Sequence, residues 1–178
     1  MERQSHGFSF EQSMAKKYNI ALSNNYTDKW DGRINDFPVS IKTEKYGTDI
    51  EMADVFRQMN VNEDFYLIVG FWNENKDNII EQHLLKINGE EYSSLFNHSF
   101  VPQLRGLLNN ITNDKSDDNK WKTQTANIRS AWKEEAPNLI RLRFKRDHKK
   151  QKRIQCAINN KDFYDYFIPK YEVNENEW

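Results

Sequence analysis

The chain has 178 residues, about the length of one domain, and its 26 Lys and Arg against 27 Asp and Glu give a formal net charge of −1. Aliphatic, aromatic and Cys residues make up only 37%, but 5 Trp, 8 Tyr and 11 Phe supply enough buried area to exclude wholesale disorder. The longest apolar run, 65–72, is far short of the ~20 residues a bilayer span needs, the N-terminus has no apolar leader, and the lone Cys156 excludes an intrachain disulfide.

A single cytoplasmic domain over 1–178 is therefore expected, with an order of elements αββαββααββ. Phe10, Met14 and Tyr18 recur at i, i+4 and i+8 and predict a helix over 9–18. Two short strands follow over 29–34 and 37–45, closed into a hairpin at Asn35-Asp36. On the second, Val39, Ile41 and Thr43 share one face, and Ser40, Lys42 and Glu44 the other. Thr48-Asp49-Ile50-Glu51 has the spacing of a capping box and predicts a helix running to about Met59. The continuous apolar run 65–72 reads as a strand buried on both faces, with another strand over 79–87. Helices are expected over 100–111 and 120–135, separated by a mobile polar loop near 109–119. A late hairpin pairs 139–145 with 152–158, and the tail after Pro169 reads as loose. The fold class is α/β (α+β): a central mixed β-sheet flanked by helices, with a basic β-hairpin near its end. The catalytic core is placed at about 8–90 and the DNA-contacting part at about 98–168.

Asp31 lies on the first strand of this hairpin and Ser40-x-Lys42 on the second, so a carboxylate and a lysine can meet at one sheet edge. A carboxylate there can hold a hard divalent cation, while the ammonium neutralises a phosphate and helps orient the attacking water. This is an arrangement for cleaving phosphodiesters. Other chemistries find no motif: the four histidines, His6, His83, His98 and His148, lack paired-ligand spacing, and no P-loop, dinucleotide or nucleophile-elbow signature is present. Cys156, between Ile154 and Ile158, reads as a core residue.

Asp31-Gly32 followed by Phe37-Pro38-Val39-Ser40-Ile41-Lys42 resembles the motif of the PD-(D/E)xK nucleases, the superfamily of many restriction enzymes and resolvases. The resemblance covers 8–72. Ser40 stands where the family usually has Asp or Glu, and Trp30 where it often has Pro. One branch of the family also has Ser-x-Lys on the strand and draws its second acid from the following helix, where this chain offers Glu51 and Asp54. Many members also place a metal-contacting Glu on the helix before the Asp strand, where this chain has Glu11. The resemblance thus implies Asp31, Lys42, Glu51 and Asp54 as catalytic residues, and Asp31, Glu51, Asp54 and Glu11 as metal ligands; Glu44, on the Lys42 face two residues beyond the lysine, is a further candidate ligand that could replace the missing acid. Glu44 ranks below the helix acids because it lies farther along the strand from Asp31. Magnesium is the expected ion, being hard and oxygen-seeking.

Between 141 and 153 eight basic residues face one acid, Asp147, so this window carries +7 and the rest of the chain −8. Such a division builds a basic face on a neutral protein and points to a polyanion. Arg141, Arg143 and Lys145 project to one side of their strand; with Arg153 and Gln155 they form a ribbon suited to the major groove. Arg146, Lys149 and Lys150 at the tip suit phosphates. The expected function is a Mg²⁺-dependent endonuclease on double-stranded DNA, a type II restriction enzyme acting as a homodimer. A DNA- or RNA-binding module without cleavage, and a structure-specific repair or junction nuclease of the same fold, stand beside it.

Overall fold

The run 65–72 offers almost no polar face, and in the computed structural model of the chain it forms the strand that two cores share. The structure describes residues 2–23, 28–73, 78–111, 115–135, 139–146 and 152–174. In chain order these form α1 (Glu2–Tyr18), β1 (Ala21–Leu22), β2 (Gly32–Ile34), β3 (Phe37–Lys45), β4 (Ile50–Asp54), α2 (Val55–Met59), β5 (Phe65–Trp72) and β6 (Ile79–Ile87). Then come α3 (Gly89–Ser94), α4 (Val101–Asn110), α5 (Asp118–Glu135), β7 (Ile140–Arg146) and β8 (Lys152–Ile158). A helical stretch closes the described chain: Asn160–Asp162, a π-helical turn Phe163–Phe167, and Ile168–Tyr171.

The architecture is mixed α/β with two sheets flanked by helices. The larger is five-stranded in the order β1-β2-β3-β5-β6, mixed because β3 and β5 run parallel while the other pairs are antiparallel. The smaller is antiparallel, in the order β4-β8-β7. Parity along β5 explains the layering: Phe65, Leu67, Val69 and Phe71 enter the main core, whereas Ile68 turns to a second core under α1. That second core holds Phe10, Met14 and Tyr18 of α1 against Val39 and Ile41 of β3. The helical stripe is therefore what fastens α1, and with it Glu11, across the sheet.

β3, β5, β6 and β8 fall on their predicted spans, and β7 begins one residue later than predicted. The turn at Asn35-Asp36 has both residues at positive φ, 45° and 68°, as a two-residue hairpin loop requires. The segment after Gly47 differs from its prediction. Ile50–Asp54 is a strand and only Val55–Met59 is helical, because Ile50 and Met52 alternate into the main core while β8 offers its free edge. Thr48 hydroxyl bonds Lys45 C=O, and the helix is capped by Asp54, whose carboxylate accepts the Arg57 N–H at 2.9 Å. Glu51, Asp54 and Gln58 thus do not share a helical face. A bulge between Glu51 and Ala53, with Ala53 at φ 77°, shifts the register within the strand before Ala53 and Asp54 resume pairing with β8.

The expected loop near 109–119 shrinks, since 109–110 belong to α4 and 115–117 form a 3₁₀ turn that leads into α5; 112–114 lie outside the described residues. The tail after Pro169 is tied down as far as 173: Tyr171 is buried, Glu172 bridges Leu85 of β6, and Val173 N–H bonds Leu84 C=O. Among the described residues no helix is long and apolar enough to cross a membrane.

Gly70 marks where α1 crosses β5. A Cβ placed there would lie 2.6 Å from the buried Phe10 ring, so the helix sits on the sheet only because this position has no side chain. Gly70→Ala is expected to lift α1 and to cost about 1–3 kcal/mol of stability by overpacking, read as a lower midpoint in urea unfolding; an unchanged midpoint would show that the Phe10 contact yields freely.

Candidate active site and basic hairpin

Asp31 sits in the bend just before β2. Its backbone N–H bonds Val39 C=O, and its C=O accepts the Ser23 N–H, which locks it between β1 and β3. Gly32 is needed here, because a Cβ would lie 2.7 Å from Ala21 C=O and exclude β1. Three consecutive residues of β3 then donate to a single carboxylate oxygen, Oδ2 of Asp31: Ser40 Oγ at 3.3 Å, Ile41 N–H at 2.7 Å and Lys42 Nζ at 3.0 Å. The pairing of Asp31 with Ser40-x-Lys42 read from the sequence is realised. Ser40 is buried and acts as a donor to the acid, which accounts for its place in the strand.

Glu11 joins this cluster from α1. Its carboxyl is held above the ordinary 4.5, first by burial and then by the Asp31 carboxylate, with the Lys42 ammonium opposing. The three groups are thus within electrostatic reach. Two carboxylates and one ammonium form the cluster, with like-charge repulsion between the acids only partly offset.

The other predicted acids lie elsewhere. Glu51 faces the hairpin, with its carboxylate 3.3 Å from Arg143 Nε and 3.6 Å from Lys145 Nζ. Its N–H donates to Glu44 Oε1 at 3.2 Å, which also turns Glu44 toward β4. Asp54 serves as the cap of α2. Among the described residues no three Asp, Glu, His or Cys side chains converge as a metal-holding group, so the expected five-acid site does not assemble.

The basic hairpin is present and largely paired. Arg141 NH1 and Arg143 NH2 both bond Asp49 Oδ2, at 3.1 and 2.5 Å, and Asp49 Oδ1 accepts the Asn160 N–H. Arg146 pairs with Asp118 at the start of α5. Lys152 turns inward to the C=O groups of Leu108 and Ile111, capping the end of α4. Register places Arg153 opposite Lys145 and Gln155 opposite Arg143, with Arg153 exposed and Gln155 half-buried. Lys149 and Lys150 lie outside the described residues. Asp49 is the residue that sequence reasoning missed: it was absorbed into a capping box, and only the folded hairpin, more than 90 residues on, reveals its partners.

Cys156 is fully buried, and burial with the nearby Asp54 and Glu51 carboxylates pushes its thiol well above its ordinary value. It is a core residue, as the sequence pattern indicated. No family model, curated protein or solved structure matches the chain.

The Glu11 shift has a signed consequence. Its raised value means that the folded state keeps the proton to higher pH than the unfolded chain does. Stability is therefore lost as pH rises from about 4.5 through the folded value. Glu11→Gln is expected to melt above the wild type at pH 7 and to converge with it below about pH 4, where both side chains are neutral. Equal melting temperatures at both values would remove the crowding of Glu11 by burial and Asp31.

Ser40→Glu would force a second carboxylate into the buried position beside Asp31. The variant is expected to melt well below the wild type in EDTA and to regain more melting temperature on adding Mg²⁺ than the wild type does. An equal Mg²⁺ increment in the two proteins would count against a cation at Asp31.

Proposed function

We propose that this chain is a Mg²⁺-dependent endonuclease acting on double-stranded DNA, with Asp31, Lys42 and Glu11 at its centre. The observation that carries this reading is the convergence of Ser40, Ile41 and Lys42 on Asp31 Oδ2, with Glu11 in electrostatic range. The order of α1 with Glu11, Asp31 just before β2, β3 with Lys42 and the buried parallel β5 follows the order that the PD-(D/E)xK resemblance implies, with β4 inserted ahead of the short helix α2.

The donor set suits magnesium. A site with two protein carboxylates leaves most positions to water and phosphate oxygens, and Mg²⁺ characteristically binds through one or two carboxylates plus substrate phosphates. Glu11 and Asp31 would hold the ion, and Asp31 Oδ1 is the oxygen that accepts none of the three β3 donors. When bound, the ion supplies charge neutralisation at the scissile phosphate and makes a water molecule a better nucleophile. The chain's own part is geometric. Ser40 and the Ile41 N–H fix the Asp31 carboxylate, and Lys42, with 22% of its side chain exposed, presents its ammonium where a phosphate oxygen or the attacking water can meet it. Glu51 and Asp54 are not retained as ligands, since both carboxylates have other partners.

The basic hairpin provides the electrostatic footprint for duplex DNA, and small size with one site per chain favours a two-fold dimer cutting both strands, the organisation of a type II restriction enzyme. The second reading is a nucleic-acid-binding module that does not cut, favoured by the lack of a third convergent acid among the described residues. Digestion of a mapped plasmid with and without Mg²⁺ separates the two, and discrete fragments separate a sequence-specific enzyme from one that cuts by DNA structure.

Lys42→Ala is expected to abolish Mg²⁺-dependent cleavage while leaving melting temperature and duplex affinity close to wild type. If the variant keeps more than about a tenth of the wild-type rate, less than ~1.4 kcal/mol of the barrier depends on Lys42 and its assignment fails.

A further inference from the structure

β7 is the outer strand of the three-stranded sheet, and α5 is tied to that edge by Trp132, whose indole N–H donates to Ile140 C=O at 2.9 Å. Between them lies an open cavity of about 380 Å³. Four of its lining residues are cations drawn from two elements: Arg129 and Lys133, one turn apart on α5, and Arg141 and Arg143, alternating on β7. None of its described lining residues is acidic, and Trp132 and Leu142 are among its apolar ones.

Three of the four cations, the arginines, are held in place without being used up. Asp49, with a side chain only 9% exposed, takes one N–H from Arg141 and one from Arg143. A guanidinium has five N–H donors, so each retains others for a ligand, and pinning one edge lowers the ordering cost of binding with the rest. Arg129 lies over the Phe144 ring at 5.0 Å, which steadies its planar head in the same way. The strand edge adds a neutral donor. Asn159 N–H bonds Leu139 C=O, so by antiparallel alternation Arg141 and Arg143 exchange bonds with β8, while Leu142 turns its N–H outward.

We propose that this cavity seats a phosphodiester group of the nucleic-acid backbone, held by Arg129, Lys133, Arg141 and Arg143. The inference rests on the nuclease reading and revises one part of it: Arg141 and Arg143 hold a backbone phosphate instead of reading base edges. A base reader must project its side chain deep into a groove, whereas these two lean back on Asp49. A fixed cluster of positive charge around a small cavity matches a phosphate. The cavity is also linked to the candidate active site by consecutive contacts. Arg143 meets Glu51, the Glu51 N–H meets Glu44, and Glu44 is two residues beyond Lys42 on β3. A strand bound at both places has its scissile phosphate at Asp31 and Lys42 and an anchoring phosphate in the cavity.

The test compares wild type with Arg129→Gln/Lys133→Gln. Both positions are solvent-exposed on α5, and single Lys133→Glu, which keeps the Arg129 contact with Phe144, serves as a second variant. Binding of short fluorescein-labelled duplexes of two unrelated sequences is measured by anisotropy over a salt series, in EDTA and with Ca²⁺ in place of Mg²⁺. The expected result is an affinity at least about tenfold weaker near 0.1 M salt for both sequences, with the log–log salt slope shallower by roughly two. Lys133→Glu should change affinity in the same direction.

Unchanged affinity and slope in both variants, with wild type binding normally, would overturn the cavity assignment and leave the nuclease reading standing. A loss confined to one sequence would overturn it in favour of base recognition. Failure of the wild type to bind any duplex would remove both the nuclease reading and the inference built on it. Saturable binding of AMP, lost in the double variant of a protein that ignores duplexes, would assign the cavity to a free nucleotide and overturn the backbone assignment.

Discussion

One oxygen atom organises the candidate site. Asp31 Oδ2 accepts from Ser40, Ile41 and Lys42, three successive residues of β3, although successive side chains of a strand point to opposite faces. The apparent conflict disappears because the middle contact is made by the Ile41 backbone, leaving its side chain free to enter the core under α1. Ser40 and Lys42, both on the other face, reach the carboxylate with their side chains. The spacing Ser-x-Lys is therefore a geometric requirement for converging on one acceptor, and the x residue serves the core and the site at once. A carboxylate fixed by three donors is held in one orientation, which a group meant to position a cation or a phosphate needs.

The second organising constraint is charge pairing across the small sheet. The +7 window reads in sequence as a patch awaiting a polyanion, yet much of it is satisfied within the fold. Asp49 and Glu51 meet Arg141, Arg143 and Lys145, Asp118 meets Arg146, and Lys152 is spent on C=O groups at the end of α4. Pairs with half-exposed side chains contribute little stability each, so their main effect is on placement. They hold long side chains in defined positions along an edge strand. What remains outward is a smaller, better ordered set of donors than the sequence count suggests, joined by Arg129 and Lys133 from a helix that the charge run does not include.

The fold was legible where a single periodicity governed each segment. Residues 37–45, 65–72 and 79–87 have strand patterns that no competing signal contradicts, and Phe10, Met14 and Tyr18 define a helix stripe that finds its place under the sheet. Reading failed at 48–54, where the local capping-box signal of Thr48 and Glu51 competed with the alternation of Ile50 and Met52. Burial of those two side chains, together with the ladder to β8, outweighs a first-turn cap. That ladder joins residues about 100 positions apart, so nothing local announced it. The same cause hid the roles of Asp49 and Glu51. In the site, Asp31, Lys42 and Ser40 were readable because a short hairpin brings them together, and Glu11 because the resemblance named its helix; Arg129 and Lys133 were not, since their neighbours come from another element.

On the proposed reading, loss of the helix acids changes what the site would ask of a cation. With Glu51 directed at the hairpin and Asp54 at its own helix, Glu11 and Asp31 are the carboxylates left, and burial, followed by the Asp31 charge, raises the Glu11 proton affinity. A pair in this state does not form a closed cage. It leaves room for phosphate oxygens and water, and its excess negative charge is relieved only when positive charge arrives. Lys42 supplies part of that charge permanently, from the same strand that fixes Asp31. The acids near α1 would by themselves repel a phosphate chain, while the cations at β7 and α5 attract it. On the proposed reading, binding energy gathered at the basic end would hold a phosphate against the acidic end, where local electrostatics do not favour it. On that reading the contacts of Arg143 with Glu51 and of Glu51 with Glu44 join two ends of unlike charge into one binding surface.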